Sequence, residues 1–531
     1  MPATFNFADL WELVVDEVGD RDALVCGPHR RTYAELEDRA NRFANHLLDR
    51  GIRPGDHVAL YLENCPEYLE AMLGCFKVRA VPINVNYRYV AGELRYLLDD
   101  CDAVGVLHGP HNTDVVAALL PDLPKVRWTL ATGDDYDAAI AAASAERPPH
   151  GDRSGDDHYV LYTGGTTGLP KGVVWRQEDA FFACLGGGDA MRIRGEVTTP
   201  EEILERVNDG IGYLTAAPLI HAAAQWTSFM WFFAGGKVVL TQGSLDPEAI
   251  WSAIEAEQVN AVTVVGDAVA KPLLDAWDAN PGRWDVSSLY VFSNGGAPMS
   301  AGCKQRVLER FPSFIVNDGF GSSEAGVQGT SRVTAGEQPQ GGSIRFSTEG
   351  QKPILVLDDD DRPVEPGSGV VGRIVTGGRL PLGYHGDPEK TAATFTEVDG
   401  ERYLITGDLA TVAADGTVDL LGRGSTSINT GGEKVHPEEV EGVLHGHPAV
   451  ADVLVVGVPD ERWGSAVTAV VQPASGADVE LGDLAAHCRA QLAGYKVPKH
   501  LVVVDRVVRS PSGKADYRWA AETAAKSVCG P

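Results

Sequence analysis

The chain has 531 residues, with 74 acidic against 45 basic side chains and a formal charge of −29. That length exceeds one ordinary core and implies two or more domains, and the composition is that of a soluble globular enzyme, not a disordered or fibrous chain. The negative field excludes a general nucleic-acid or anionic-membrane surface, so anionic ligands must be met locally by lysines, arginines, backbone amides or a metal. The eight cysteines are scattered without metal-ligand spacing, which fits a reducing compartment. Met1–Leu10 lacks a signal pattern, and the apolar patch Phe229–Leu240 is interrupted by Gly235, Gly236 and Lys237. A cytoplasmic enzyme without a membrane span is expected.

In chain order, Thr32-Tyr33-Ala34-Glu35 has the spacing of a capping box, and Leu36, Ala40, Phe43 and Leu47 continue at helical spacing as far as Gly51. Val58–Leu62 reads as a strand, Glu67–Val78 as a helix and Ala80–Val85 as a second strand, an alternation that predicts a βαβ layout. Residues 130–157, rich in Ala, Asp, Gly and Pro, read as a surface connection. They lead to the apolar run Tyr159–Tyr162, a predicted buried strand, and then to Thr163-Gly164-Gly165-Thr166-Thr167-Gly168-Leu169-Pro170-Lys171-Gly172. The glycines let the backbone approach an anion closely, the three threonines add hydroxyl donors, and Lys171 adds positive charge. Two residues separate Gly168 from Lys171, and Gly172 follows it, so this is not a Walker A loop. Glycine and threonine alone would favour a mobile surface loop; with Lys171 and the preceding strand included, polyphosphate binding is the expectation.

Residues 196–209 read as a polar insertion or an exposed helix. Beyond Ala217-Pro218-Leu219-Ile220-His221, the side chains of Trp226, Phe229, Met230 and Phe233 share one helical face, which Trp231 and Phe232 widen. Such a stripe serves either a core or an apolar pocket, and His221 alone carries no acid–base assignment. Three strand-then-glycine units follow. Ala261–Val265 leads into Gly266-Asp267, Leu289–Ser293 into Asn294-Gly295-Gly296-Ala297-Pro298, and Phe314–Asn317 into Asp318-Gly319-Phe320-Gly321-Ser322-Ser323-Glu324. Ligands of doubly wound sheets collect outside the carboxyl ends of strands, so these loops are placed to line one crevice with the phosphate loop. Residues 331–382 look β-rich, as a smaller β subdomain would, and Tyr403–Asp408 reads as a strand ending in an acid. The C-terminal stretch reads as strands Val453–Val458 and Val467–Gln472, a helix near Leu481–Leu492 and a strand Leu501–Val504. It closes on Ser510-Pro511-Ser512-Gly513-Lys514.

These motifs, in this order across nearly the whole chain, resemble those of the adenylate-forming superfamily of acyl-CoA synthetases, adenylation domains and luciferases. The resemblance implies an α/β fold. Residues 1–423 would form a large N-terminal lobe of βαβ-type subdomains plus a small β subdomain, and residues 424–531 a small mobile α+β C-terminal lobe. It implies that Gly164, Gly165 and Gly168 cradle phosphates with the threonines and Lys171, and that Gly295, Gly296, Ala297 and Pro298 pass adenine and the acyl group. Asp318, Gly319, Phe320, Gly321, Ser322 and Ser323 would border the nucleotide, with Phe320 where a tyrosine usually packs on adenine, and Glu324 would lie near Mg²⁺. Asp408 and Arg423 match ribose-contacting residues, and His221, Trp226, Phe229 and Met230 would begin the acyl pocket. Gly383-Tyr384-His385 and Pro388-Glu389-Lys390-Thr391 match a further motif. Gly431, Gly432, Glu433 and Lys434 open the CoA-serving motif that runs to Glu441, and Lys514 matches the catalytic lysine. Two departures stand out: the usual hinge aspartate or lysine is replaced within Ser425-Thr426, and Trp175-Arg176-Gln177-Glu178-Asp179 replaces a small-residue and histidine pattern. The second is similar to bacterial fatty-acyl and steroid side-chain CoA ligases.

The function implied is an ATP- and Mg²⁺-dependent, AMP-forming ligase that joins a hydrophobic carboxylic acid to coenzyme A, with Lys514, Thr166 and Glu324 as its catalytic set. A carboxylate resists acyl transfer because it is charged and oxide is a hopeless leaving group; adenylation supplies AMP as the leaving group. The transition state gathers negative charge, so catalysis should be mostly positioning and electrostatic stabilisation. An adenylation enzyme that loads a carrier protein and a non-catalytic nucleotide sensor are the rival readings. Loss of Lys514, Glu324 or Asp408 would have favoured the sensor, and all three are present. Short, aryl and sulfur-containing acids stay open as substrates, and the sequence does not disclose an oligomeric state.

Overall fold

Thr32 caps the helix Tyr33–Asp49 with its side chain on the Glu35 amide, and Glu35 returns a bond to the Thr32 amide, completing the capping box. The helix buries Leu36, Ala40, Phe43 and Leu47 completely, each large side chain contributing about 1.5–3 kcal/mol. It lies against the helix Pro66–Lys77, where a Cβ on Gly74 would come within 2.7 Å of Phe43. Glycine sets how closely those two helices approach.

The computed structural model describes residues 3–149, 151–163, 169–191, 193–243, 245–297, 299–337, 345–346, 353–423, 426–430, 433–460, 464–509 and 515–528. Two predominantly parallel sheets dominate residues 1–337. The seven-stranded sheet runs, in spatial order, Gly383–Tyr384, Lys171–Arg176, His158–Thr163, Val81–Asn84, His57–Tyr61, Ala103–His108 and Trp128–Ala131. Its first two pairings are antiparallel and the rest parallel. The eight-stranded sheet runs Gly326–Val333, Ile315–Ser322, Val291–Gly295, Ala261–Val264, Gly212–Thr215, Lys237–Leu240, Asp22–Cys26 and His29–Thr32. Only its two edge pairings are antiparallel. An apolar core that includes Trp11, Phe76, Trp175 and Phe229 packs between these elements.

Residues 353–423 form a mostly antiparallel sheet around Gly372–Thr376 and Glu401–Val412, a β subdomain that overlaps the β-rich stretch expected over 331–382 and continues to Arg423. Beyond it, Val450–Asp460, Gly464–Pro473 and His500–Val503 make a three-stranded sheet. Alternate residues of its first strand face two cores. Val453 and Val455 pack with the helices Pro437–His445 and Leu481–Arg489, while Leu454 and Val456 pack with Tyr517–Val528. Covering both faces explains the nearly continuous valine run.

Three expectations change. Residues 130–157 contain the helix Asp134–Ala142 and the almost fully buried Arg153, bonded to Asp9 and Glu12, because charge pairing brings an otherwise polar stretch inside. Residues 196–209 contain a 3₁₀ helix, Pro200–Arg206, that buries Ile203. Asp408 does not end its strand: Gly407, at φ 79°, and a bulge at Leu409/Ala410 let Glu401–Val412 continue past it.

Candidate active site

The eight-stranded sheet reverses its winding at Gly212–Thr215. The next strand in sequence, Lys237–Leu240, lies on one side, and Ala261–Val264, Val291–Gly295 and Ile315–Ser322 follow on the other. The carboxyl ends at such a switch point form a crevice. Here they deliver Ala217–His221, Gly266-Asp267, Asn294–Ala297 and Asp318–Glu324, the segments singled out from sequence. Asn294 ties three of them together: its Oδ1 accepts from the Gly266 amide at 2.7 Å, and its Nδ2 donates to Ala297 O at 2.8 Å and to Asp318 Oδ1 at 2.7 Å. Asp318 also meets Lys304 at 2.5 Å and is nearly inaccessible. Its carboxylate therefore braces the crevice floor.

Above that floor the backbone is open. Among the described residues, no atom beyond its chain neighbours lies within 4 Å of a Cβ built on Gly295, and Gly296 adopts φ 83°, which favours glycine. Gly319 pairs with Gly295 across the strands. At Gly321 a Cβ would strike Gly326 O at 2.3 Å, so glycine lets the edge hairpin close through its bulge. Phe320 packs against the β-subdomain core that includes Ile374 and Ala410. Pro298 lies outside the described residues.

On the acyl side, His221 is half-buried and precedes the helix Ala222–Phe233. Trp226 is buried, Met230 half-buried, and Phe229 sits among the rings of Phe7, Phe76, Phe232 and Phe233. The stripe thus divides: Phe229 and Phe233 join the aromatic core, and Met230 retains an accessible flank. Asn84 connects this side to the phosphate side, donating to Ile220 O at 2.7 Å and Tyr162 O at 2.8 Å and accepting from the Tyr162 amide.

On the phosphate side, His158–Thr163 and Lys171–Arg176 pair antiparallel, with Thr163 opposite Lys171. Gly164, Gly165, Thr166, Thr167 and Gly168 lie outside the described residues. Lys171 Nζ is 3.3 Å from Asp387 and 4.0 Å from Asp100. Burial opposes its charge, but Asp387, Tyr96 and Asp100 hold its pKa above the ordinary lysine value. The Lys390 amide and, against the opposing effect of burial, Lys171 keep Asp387 below the ordinary carboxylate value.

Tyr384 donates to Glu324 Oε1 at 3.2 Å, and Trp175 Nε1 donates to Ser323 O at 2.9 Å. Ser322 Oγ accepts the Ala325 amide at 3.1 Å, fixing the turn. An open hollow of about 550 Å³ borders Val174, Tyr384 and Asp387, and none of the acyl-pocket candidates lines it.

Asp408 is buried, its amide donates to Thr406 Oγ1, and its backbone lies opposite Arg423. Glu433 and Lys434 belong to a short strand paired with Ile428–Thr430. Gly431, Gly432 and Lys514 lie outside the described residues.

Residues 11–385 match the family described as AMP-binding enzyme, and residues 439–514 match the AMP-binding enzyme C-terminal domain. The chain belongs to the AMP-binding enzyme family. It is 46% identical to the medium/long-chain-fatty-acid–CoA/3-oxocholest-4-en-26-oate–CoA ligase of Mycolicibacterium smegmatis, over 97% of this chain and 96% of that one. It is likewise 46% identical to the 3-oxocholest-4-en-26-oate–CoA ligase of Rhodococcus rhodochrous, over 97% and 95%. Among solved structures, ATP-bound MatB from Rhodopseudomonas palustris superposes with a TM-score of 0.82 at 25% identity, covering 99% of this chain and 100% of that chain.

In this AMP-binding enzyme, several residues that organise the crevice escaped sequence reasoning. Asn84, Lys304 and Asp387 make no motif of their own. The only sequence hints are an asparagine closing an apolar strand and an aspartate before Pro388-Glu389, the pattern of a helix cap. Trp175, which the sequence links to substrate class, also holds the turn that carries Glu324 through its bond to Ser323 O.

Proposed function

We propose that the protein is an AMP-forming acyl-CoA ligase for hydrophobic carboxylic acids, medium- or long-chain fatty acids or steroid side-chain acids. The observation that carries this reading is the 46% identity, over nearly the full length, to ligases bearing those substrate names. The crevice supports it by joining an open glycine floor, a cation-bearing hairpin and a half-buried apolar helix face.

In the first half-reaction a carboxylate oxygen attacks the α-phosphorus of ATP, the bond to the bridging oxygen breaks, and pyrophosphate leaves. Thr163, Thr166, Thr167 and Lys171, with the amides of Gly164, Gly165 and Gly168, hold the departing phosphates. Gly295, Gly296, Ala297, Pro298 and Phe320 flank adenine, with Asp318, Gly319, Gly321, Ser322 and Ser323 around them, and Asp408 and Arg423 hold the ribose. Lys514 neutralises charge between the carboxylate and the α-phosphate. In the second half-reaction the CoA thiol attacks the acyl carbonyl, AMP departs, and Gly431, Gly432, Glu433 and Lys434 receive CoA. Thiols are strong nucleophiles, so no dedicated base is required.

Among the described residues no cluster of three or more His, Cys, Asp or Glu could cage a metal. One accessible carboxylate, Glu324, held by Tyr384, suits Mg²⁺, which binds through one or two carboxylates plus substrate phosphates. Bound there, Mg²⁺ would neutralise phosphate charge. His221, Trp226, Phe229, Met230 and Gly296 are assigned to the acyl pocket, with Phe229 as its core-anchored backing. We divide the chain at residues 423/424 into a nucleotide- and acyl-binding lobe and a mobile lobe carrying Lys514. Among the described residues no helix is long and apolar enough to cross a membrane.

Purified protein with ATP, Mg²⁺ and CoA, offered acids from propionate to decanoate, palmitate and a steroid side-chain acid, tests the reading. Acyl-CoA should form fastest with the bulky apolar acids, and Lys514→Ala should lower turnover by about 10²–10³-fold. Pyrophosphate release without acyl-CoA would favour a carrier-protein acceptor; silence across the panel would sink the ligase reading.

A further inference from the structure

The helix Ala91–Asp100 ends on two aspartates, Asp99 and Asp100, with no basic residue in its last turn. Unsatisfied carbonyl groups give a helix C-terminus negative partial charge, so acids placed there go against the local electrostatics. Positions that break a local rule concentrate at functional sites, where the compensation comes from elsewhere in the fold. For Asp100 that compensation comes from the two flanks of the phosphate loop.

On the entry flank, the Tyr162 hydroxyl, from the strand His158–Thr163, donates to Asp100 Oδ2 at 2.8 Å. Gly172 makes room for this contact, since a Cβ there would come within 2.6 Å of the Tyr162 ring. On the exit flank, Tyr96 lies one helical turn before Asp100 and shares its hydroxyl proton between Asp100 Oδ1 at 3.1 Å and Pro170 O at 3.4 Å. Pro170 immediately precedes Lys171, whose Nζ is 4.0 Å from the same Oδ1. Burial, reinforced by Asp100, raises both phenols above the ordinary tyrosine value, so both keep the proton they donate. One carboxylate is therefore tied, directly or through a phenol, to both flanks. Its two oxygens are engaged by tyrosines, which fixes the charge that faces Lys171.

We infer that Asp100, aligned by Tyr96 and Tyr162, is a positioning residue that aims Lys171 at the β- and γ-phosphates of ATP. The inference rests on the ligase reading and extends its phosphate site to a helix that carries none of the motifs. Asp387 reaches Lys171 from the opposite direction, at the cap of the helix Pro388–Thr394. Only Asp100 also holds the strand on the other flank of the loop.

The test is calorimetric binding of ATP and of AMP to the full chain, each with Mg²⁺ and without a carboxylic acid. Tyr96→Phe, which removes only a hydroxyl, and Asp100→Ala should each raise Kd for ATP by about 3- to 10-fold. Kd for AMP, which lacks the two outer phosphates, should stay within about twofold of the parent. In a Lys171→Ala background neither substitution should move Kd for ATP by more than about twofold, because residues that act through one another are not additive. Equal losses for ATP and AMP would reduce the contact to a structural one, and tighter ATP binding by Asp100→Ala would make Asp100 a competitor for Lys171. Either result, unchanged ATP affinity in both variants, or an undiminished effect in the Lys171→Ala background overturns the inference. A parent protein that binds neither nucleotide overturns the ligase reading itself.

Discussion

Two lysines in the N-terminal lobe show how differently the same charge can be held. Lys77 is fully buried and bonded to Glu12 at 2.5 Å and Glu37 at 2.8 Å; Arg153 secures Glu12 from its other side, and Arg147 secures Glu37. Lys171 keeps 29% of its side chain exposed and meets its carboxylates only at 3.3 and 4.0 Å. A saturated buried charge has nothing left to offer a ligand, whereas a loosely held one at a crevice can exchange carboxylate for phosphate at little cost. Charge alone therefore does not mark a site; its unfinished pairing does.

The largest expected effect falls on the saturated cluster. Lys77→Ala leaves Glu12 and Glu37 buried with less compensation and should cost about 3–5 kcal/mol in urea unfolding, while turnover per folded molecule stays near that of the parent. Acid titration examines the same cluster. Burial opposes ionisation of Glu12, but Lys77 and Arg153 bring it down to about 2 from an ordinary value of 4.5. Its contribution, about 3 kcal/mol, is present above pH 4.5 and lost as pH falls through 2. Glu12→Gln should flatten that part of the stability profile.

Lys171→Ala should behave in the opposite way, raising KM for ATP about tenfold, or roughly 1.4 kcal/mol, with a thermal midpoint within about 1 °C of the parent. A collapse in stability would erase the distinction between the two lysines. The smallest effect belongs to Asp387→Asn, which keeps the cap on the Lys390 amide and removes the charge competing for Lys171. KM for ATP should fall by up to about twofold, and a rise would show that Asp387 orients the lysine instead of competing for it.

The parts of the molecule governed by local rules were legible in the sequence. The capping box at Thr32, the helix around Leu36–Leu47, the apolar strands and their glycine-rich ends follow from spacing and side-chain type, and they appear where spacing puts them. Contacts between distant segments were not legible. Nothing near Asn84 announces its bonds to Tyr162 and Ile220, and Lys304 looks like an ordinary surface residue until the fold sets it against Asp318. Arg153 lies in a stretch whose composition suggests a loop, and only its carboxylate partners, far back in sequence, bring it inside. The aromatic helix near Trp226 was ambiguous for a related reason: periodicity identifies a face but not what the face meets.

The central claim is that a carboxylate oxygen attacks the α-phosphorus of ATP, and ¹⁸O tracing tests it most directly. Decanoate labelled in both carboxyl oxygens, incubated with the enzyme, ATP, Mg²⁺ and CoA, should yield decanoyl-CoA and AMP in which each AMP carries one ¹⁸O. Label appearing in orthophosphate with ADP as the nucleotide product, or AMP formed without label, would contradict it.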